Sequence, residues 1–285
     1  MNTFERYEAR LRSRDLADAT LRNYLGCLRV FATWWEKTAG EVFDPGAVTV
    51  LDVAGFKNRL LGENRKPATV NLYLDALSSF FSWAASEGLC PSDPTEGVKR
   101  VPEQRRAPRW LLRKELGALI RTFQKYGAVK DRALLALLLH AGLRVSEVAS
   151  LRAESVVIRE RSGFVKVWGK GSKYREVPLN ATARRMIAEW LEQHPGGEWL
   201  FPGKGGGHIT SRAVQKRLKE LGRLAGVEAC AHKLRHCFCY LLLQSGVSLD
   251  KVAILAGHNS LNTTKIYTTP SLSDLEQAVE KLSWD

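Results

Sequence analysis

The chain has 285 residues, 45% hydrophobic and 26% charged, which is enough length and apolar content for two domains with cores of their own. Its formal net charge of +13 points to a polyanionic partner. Its longest strongly apolar run, Ala133–Leu139, is too short to span a bilayer. The Met1–Arg6 start lacks the apolar core of a signal peptide, and no polybasic amphipathic anchor stands out. Five cysteines, an odd number, fit reduced thiols, so a cytoplasmic protein acting on nucleic acid is expected. The charge is unevenly spread. Residues 1–108 hold 15 Lys and Arg against 14 Asp and Glu, whereas residues 109–285 hold 28 against 16.

Residues 1–100 read as a small all-helical domain. A short helix is expected over Thr3–Ser13, and a second over Asp18–Thr38 with Leu21, Leu25, Leu28, Phe31 and Trp35 at three- and four-residue spacing. Thr49-Val50-Leu51-Asp52 has the form of a capping box and opens a third, ending near Gly62. After Pro67, the apolar face Val70, Tyr73, Leu74, Leu77, Phe80, Phe81 and Ala84 predicts a fourth, stopped by Gly88 and Pro91. These stripes are core and call for no cofactor. The basic Lys99–Arg109 stretch holds two prolines, and residues 101–109 are expected to link the domains. Arg105 and Arg106 would lie there as contacts to phosphates.

From residue 110 to 285 the pattern is α+β. Helices are expected over Leu111–Tyr126, Lys130–Ala141, Arg144–Leu151, Thr182–Gln193, Arg212–Ala225 (with Ser211 as N-cap), Lys233–Ser245, Ser248–Ala256, Leu261–Tyr267 and Ser273–Leu282. Phe164–Trp168 and Lys173–Leu179 alternate as strands of a hairpin whose tip is Gly169-Lys170-Gly171-Ser172. The Gly203–Gly207 loop follows Pro202, has no strand before it and lacks a Lys-Ser/Thr pair, so it is not a nucleotide-binding loop. No internal repeat is evident.

Several side chains carry chemistry. Arg144 and Glu147, three apart, form by themselves a surface ion pair worth a few tenths, roughly 0.3 kcal/mol. His232 and His236, with Cys230, Cys237 and Cys239 nearby, invite a metal. Their spacing matches no closed zinc pattern, however, and Arg235 is a poor neighbour for a cation. No metal ligands are therefore assigned, and the cysteines are read as helix-packing residues.

The ordered set is far more specific than its members. Ala141-Gly142-Leu143-Arg144-Val145-Ser146-Glu147, then Gly169-Lys170-Gly171-Ser172-Lys173-Tyr174-Arg175-Glu176-Val177-Pro178-Leu179, His232-Lys233-Leu234-Arg235-His236, Gly257-His258 and Tyr267 follow one another in that order. With Thr20-Leu21-x-x-Tyr24 in the first domain, the chain resembles the tyrosine recombinase (phage integrase) family, and most of all its Xer-type members. The resemblance implies a mainly α fold with a small β-hairpin or sheet. It also implies a two-domain DNA clamp, an N-terminal helical SAM-like core-binding domain followed by the catalytic domain. It implies a site-specific recombinase that cuts through a 3′-phosphotyrosine and a Holliday junction. Tyr267 would be the nucleophile, Arg144, Arg235 and His258 the phosphate binders, His232 the proton acceptor and Lys170 the acid, with no cofactor. Arg212, Lys216 and Lys219 would lie on the major-groove helix, and Lys173 on the hairpin against DNA. The partners implied are double-stranded DNA with short inverted repeats and a homo-tetramer closed by the C-terminal tail. A heterologous recombinase or an accessory protein could join them. Two rivals share features of the set: a monomeric type IB topoisomerase-like enzyme, and a non-cutting DNA-binding regulator. Cys237 stands where relatives often carry a hydroxyl or small residue, Cys239 is also unusual, and both are expected in the helix core.

Overall fold

Aromatic stripes at helical spacing leave the N-terminal third one economical arrangement, four helices closed on their apolar faces. A computed structural model describes residues 3–14, 16, 18–103, 110–168, 174–258, 264 and 279–280. The chain divides into two compact units, Met1–Arg105 and Arg106–Asp285. The first consists of α1 (Thr3–Arg12), α2 (Asp18–Ala39), α3 (Val50–Gly62) and α4 (Pro67–Ser86), with a 3-10 turn at Pro45–Ala47. Phe31 is wholly buried and meets Phe56 and Phe81 edge-on, at centroid separations of 5.1 and 6.1 Å. Each such ring pair contributes about 0.5–1.5 kcal/mol beyond the area it buries. The expected capping box is present: Asp52 N–H donates to Thr49 Oγ1 and Thr49 N–H donates to the Asp52 carboxylate.

The first residues of the expected linker are held rather than loose. Asn71, buried on α4, accepts from Val101 N–H at 2.8 Å and donates to Val101 O at 2.9 Å and to Glu103 Oε1 at 2.7 Å. One amide therefore satisfies its donors and acceptor on a returning strand of chain.

The second unit holds α5 (Arg113–Tyr126), α6 (Val129–Leu139), α7 (Val145–Ala149), β1 (Val156–Ile158), β2 (Gly163–Trp168), β3 (Tyr174–Pro178), α8 (Ala181–Glu192), α9 (Ser211–Leu224), α10 (Ala231–Gln244) and α11 (Leu249–Ala256). Helix α6 is buried all round from Ala133 to Leu139 and runs through the core. The hairpin is the antiparallel pair β2–β3, registered Val165 to Val177 and Val167 to Arg175. A third strand, β1, completes the sheet on the other edge of β2. Its three residues are too few to show alternation. Helix α7 is five residues long, shorter than the span expected to Leu151, and Thr210 rather than Ser211 caps α9 by accepting from Ala213 N–H. Residues 261–263, 265–278 and 281–285, where two further helices and the tail face were expected, lie outside the described residues. Among the described residues no helix is long and apolar enough to cross a membrane.

Candidate active site

The site is built where three short segments meet: the turn after α6, the first turns of α10, and the turn after α11. Gly142 and Gly257 make the two turns possible, with φ of +60° and +64°. Both are also tight. A Cβ at Gly142 would lie 2.2 Å from the Phe238 ring, and one at Gly257 would lie 2.7 Å from Arg175 Cζ. Gly257 is the left-handed residue ending α11, so His258 leaves the helix in a fixed direction.

Arg235 ties the three segments together. It is 5% exposed; Nη1 donates to Gly142 O at 2.6 Å, and Nη2 donates to Ala256 O. Burial, and then the Arg144 charge, lower its pKa to about 10, which still leaves it a cation at neutral pH. Two of its five N–H groups are engaged in these bonds, so others remain for a phosphate oxygen. Arg144 stands at the N-cap position of α7, and its Nη2 donates to Gly257 O at 2.7 Å. Residues 93 and 113 positions apart in sequence thus share one corner.

Glu147 overturns the surface-pair reading. It is 8% exposed, and its carboxylate accepts four N–H groups. Oε1 takes Arg144 Nη1 at 2.9 Å and Arg175 Nη1 at 3.0 Å, and Oε2 takes Arg144 N at 2.8 Å and Arg175 Nη2 at 2.9 Å. Burial pushes this carboxyl up, but the bonds from Arg175 and Arg144 outweigh it and hold it below the usual range. Two guanidiniums therefore share one carboxylate, and with Arg235 in the same corner the site stays cationic.

The imidazoles are held neutral. His258 falls to about 4 through burial and then the charges of Arg235, Arg144 and Arg175. Its Nδ1 lies 2.8 Å from Thr264 Oγ1. Where that hydroxyl donates, the ring proton sits on Nε2, which is then a donor. His232 keeps an exposed edge, and the covered part of its ring, then Arg235, lower its pKa. His236 is buried beside it, ring centroids 4.1 Å apart at 71°. Among the described residues no group of His, Cys, Asp and Glu is placed to hold a metal ion. Cys237 and Cys239 are buried in α10, and the Cys237 sulfur accepts from Leu111 N–H at 3.2 Å. The thiol thereby clips the start of this unit to α10.

Two family models match the chain: the phage integrase family over residues 109–273, and the phage integrase N-terminal SAM-like domain over residues 4–89. The chain belongs to the phage integrase family. Tyrosine recombinase XerC of Vibrio parahaemolyticus is 34% identical over 80% of this chain and 77% of its own. Tyrosine recombinase XerD of Pseudomonas putida is 33% identical over 93% and 91%. Among solved structures, the XerH site-specific recombinase in a post-cleavage complex with palindromic difH substrate superposes with a TM-score of 0.76. It is 25% identical, over 91% of this chain and 79% of that one. Like its XerC and XerD relatives, the chain is a tyrosine recombinase.

In this tyrosine recombinase the structure brings Arg144, Arg235 and the His258-bearing turn together, with His232 one helical turn before Arg235 on α10. Lys170, Tyr267, Lys173, Arg105 and Arg106 lie outside the described residues. On α9, Arg212, Lys216 and Lys219 are exposed on one face, and Arg223 extends their row. Arg217 is not part of it, because Nε and Nη2 both bond the buried Asp131, at 3.0 and 2.8 Å. Sequence reasoning missed Arg175 and the burial of Glu147. The only local signal was an arginine on the inward side of β3, on the face of buried Val177 and at a register position facing buried Val167.

Proposed function

We propose how this tyrosine recombinase carries out site-specific recombination of DNA: Tyr267 attacks one scissile phosphate while Arg144, Arg235 and His258 hold its non-bridging oxygens. The observation that carries the reading is the corner itself, two guanidiniums anchored to the carbonyls of Gly142, Ala256 and Gly257. Anchored donors need no reorganisation when charge builds on a pentavalent transition state, so they stabilise it more than they stabilise the ground state. The Tyr267 oxygen forms the P–O bond, the bond to the 5′-oxygen breaks, and the product is a 3′-phosphotyrosine with a free 5′-hydroxyl. The phenolic proton passes to His232, whose lowered pKa keeps a neutral, accepting imidazole. Lys170 returns a proton to the 5′-oxygen. Attack by a 5′-hydroxyl of the partner duplex reverses the step, and two rounds pass through a Holliday junction.

Double-stranded DNA is the partner. We place Arg212, Lys216 and Lys219 in the major groove, Lys173, Arg105 and Arg106 on phosphates, and residues 1–100 and 110–285 on the duplex as a clamp joined by 101–109. Docking of the tail after Ser271 on a neighbouring copy would close a homo-tetramer on two inverted-repeat sites, on DNA in the cytoplasm. The test uses nicked suicide duplexes selected from a random-sequence library by covalent capture, in EDTA. Wild type is expected to give a protein–DNA adduct and Tyr267→Phe none. An adduct with the phenylalanine variant, or none with wild type on DNA that it binds, rejects the nucleophile.

A further inference from the structure

Arg175 belongs to none of the groups assigned above, yet it is the more enclosed of the two cations bonded to Glu147, its side chain 13% exposed against 40% for Arg144. It rises from β3 and reaches across to α7. Its two terminal nitrogens meet the two Glu147 oxygens in a parallel fork, the geometry that only a guanidinium can make. Its plane also lies against the Gly257 Cα, where no Cβ would fit.

The consequence follows from counting acceptor sites. Glu147 has two oxygens with two lone pairs each, and two of the four are filled by Arg175 and two by Arg144. While Arg175 holds its half, Arg144 spends a single side-chain nitrogen on Glu147 and keeps Nη2 on Gly257 O. Without Arg175 the carboxylate has two empty sites in a buried place. The nearest donor able to fill them is Arg144, by swinging into a fork of its own. That swing would pull Nη2 off Gly257 and turn the phosphate-facing edge of Arg144 away, while the vacated space beside Gly257 lets the His258 turn shift.

We propose that Arg175 is a positioning residue, a clamp on Glu147 and Gly257 that keeps Arg144 and His258 aimed at the scissile phosphate. It touches neither DNA nor the reacting atoms. The idea rests on the catalytic reading above, and the experiment separates the two. The full-length chain is pre-bound to the covalently selected suicide duplex, and single-turnover adduct formation is followed for wild type, Arg175→Ala, Arg175→Lys and Arg144→Lys. It is also followed for the double variant Arg175→Ala/Arg144→Lys. If wild type forms no adduct, the catalytic reading fails before Arg175 is tested.

With wild type active, Arg175→Ala is expected to form adduct about 100-fold more slowly, the scale of losing one aimed oxyanion donor. Arg175→Lys, which keeps the charge but not the fork, should be about 10-fold slow. The final amplitude and the DNA affinity should stay within about threefold of wild type, since a misaimed site is slow rather than absent. The double variant should be no slower than the worse single one, because both act through the same guanidinium. A merely structural arginine would instead lower the amplitude and leave the rate constant of the surviving molecules unchanged, and that result overturns the proposal. So does a double variant whose losses multiply. Should Arg175→Ala not fold, Arg175→Lys decides by the same comparison of rate constant with amplitude.

Discussion

The two units of this recombinase solve opposite problems. In the first, the interior is a set of rings, Phe31, Phe56, Phe80 and Phe81 among them, and stability follows from excluding water. In the second, an equally apolar core around α6 supports a corner where Arg235, Glu147 and His236 are buried and charges face each other at hydrogen-bond distance. Buried charge is a poor source of stability, since desolvation offsets most of the attraction. Under the proposed function such a corner is a mould for a phosphodiester, whose single negative charge, shared by two non-bridging oxygens, would complete it. The same chain thus uses its rings to hold a shape and, in the proposed function, its cations to hold a substrate.

The largest effect that tests this contrast is loss of a ring. Phe31→Ala removes a fully buried side chain and should cost about 3–5 kcal/mol, confined to the first unit. Hydrogen exchange read by mass spectrometry should show lost protection over residues 18–86 with residues 129–139 unchanged. Equal losses in both would mean that the units do not divide the labour as described.

What the sequence reveals follows the same division. Helices α2, α3 and α4 could be placed because a ring stripe is a local pattern, and the Thr49–Asp52 box lies within three residues. The β2–β3 hairpin was legible for the same reason. The candidate catalytic residues came as a motif order, which the resemblance supplied and no spacing would have. Glu147 could not be judged buried, because the donors that make burial tolerable include Arg175, 28 residues away. Arg217 looks like its neighbours on α9 until Asp131, 86 residues off, is seen to hold it. Asn71 was one polar residue beside an apolar stripe, and its partners at Val101 and Glu103 give no periodic signal.

Acid offers a smaller and cleaner separation. All six histidines lie in residues 140–258, and none lies in the first unit. His236 and His258 sit near 4 in the folded chain, lowered by burial and then by neighbouring positive charge, against an ordinary value of about 6.5. Their contribution is complete above pH 6.5 and is lost as pH falls toward 4, because the unfolded chain then binds protons that the folded one refuses. Between pH 7 and 5.5 the second unit should lose about 1 kcal/mol per histidine, with protection over 231–256 falling and that over 18–86 unchanged. A first unit that weakens in step would break the comparison.

The smallest effect sits on the surface of α9. Lys216 is exposed, and no hydrogen bond or ion pair to it is seen among the described residues, so Lys216→Ala should change stability by no more than about 0.5 kcal/mol. Its role, if it meets a phosphate, is in counterion release, and the slope of log affinity against log salt should fall by about 0.9. A base-reading lysine behaves differently, losing preference at one position of the selected site with little change in slope. Arg217→Ala provides the contrast within the same helix. Because its guanidinium is committed to Asp131, removing it should lower stability and leave the salt slope where it was. If the two variants behave alike on salt, the exposed row is a solvated face, and sequence is read by another part of the chain.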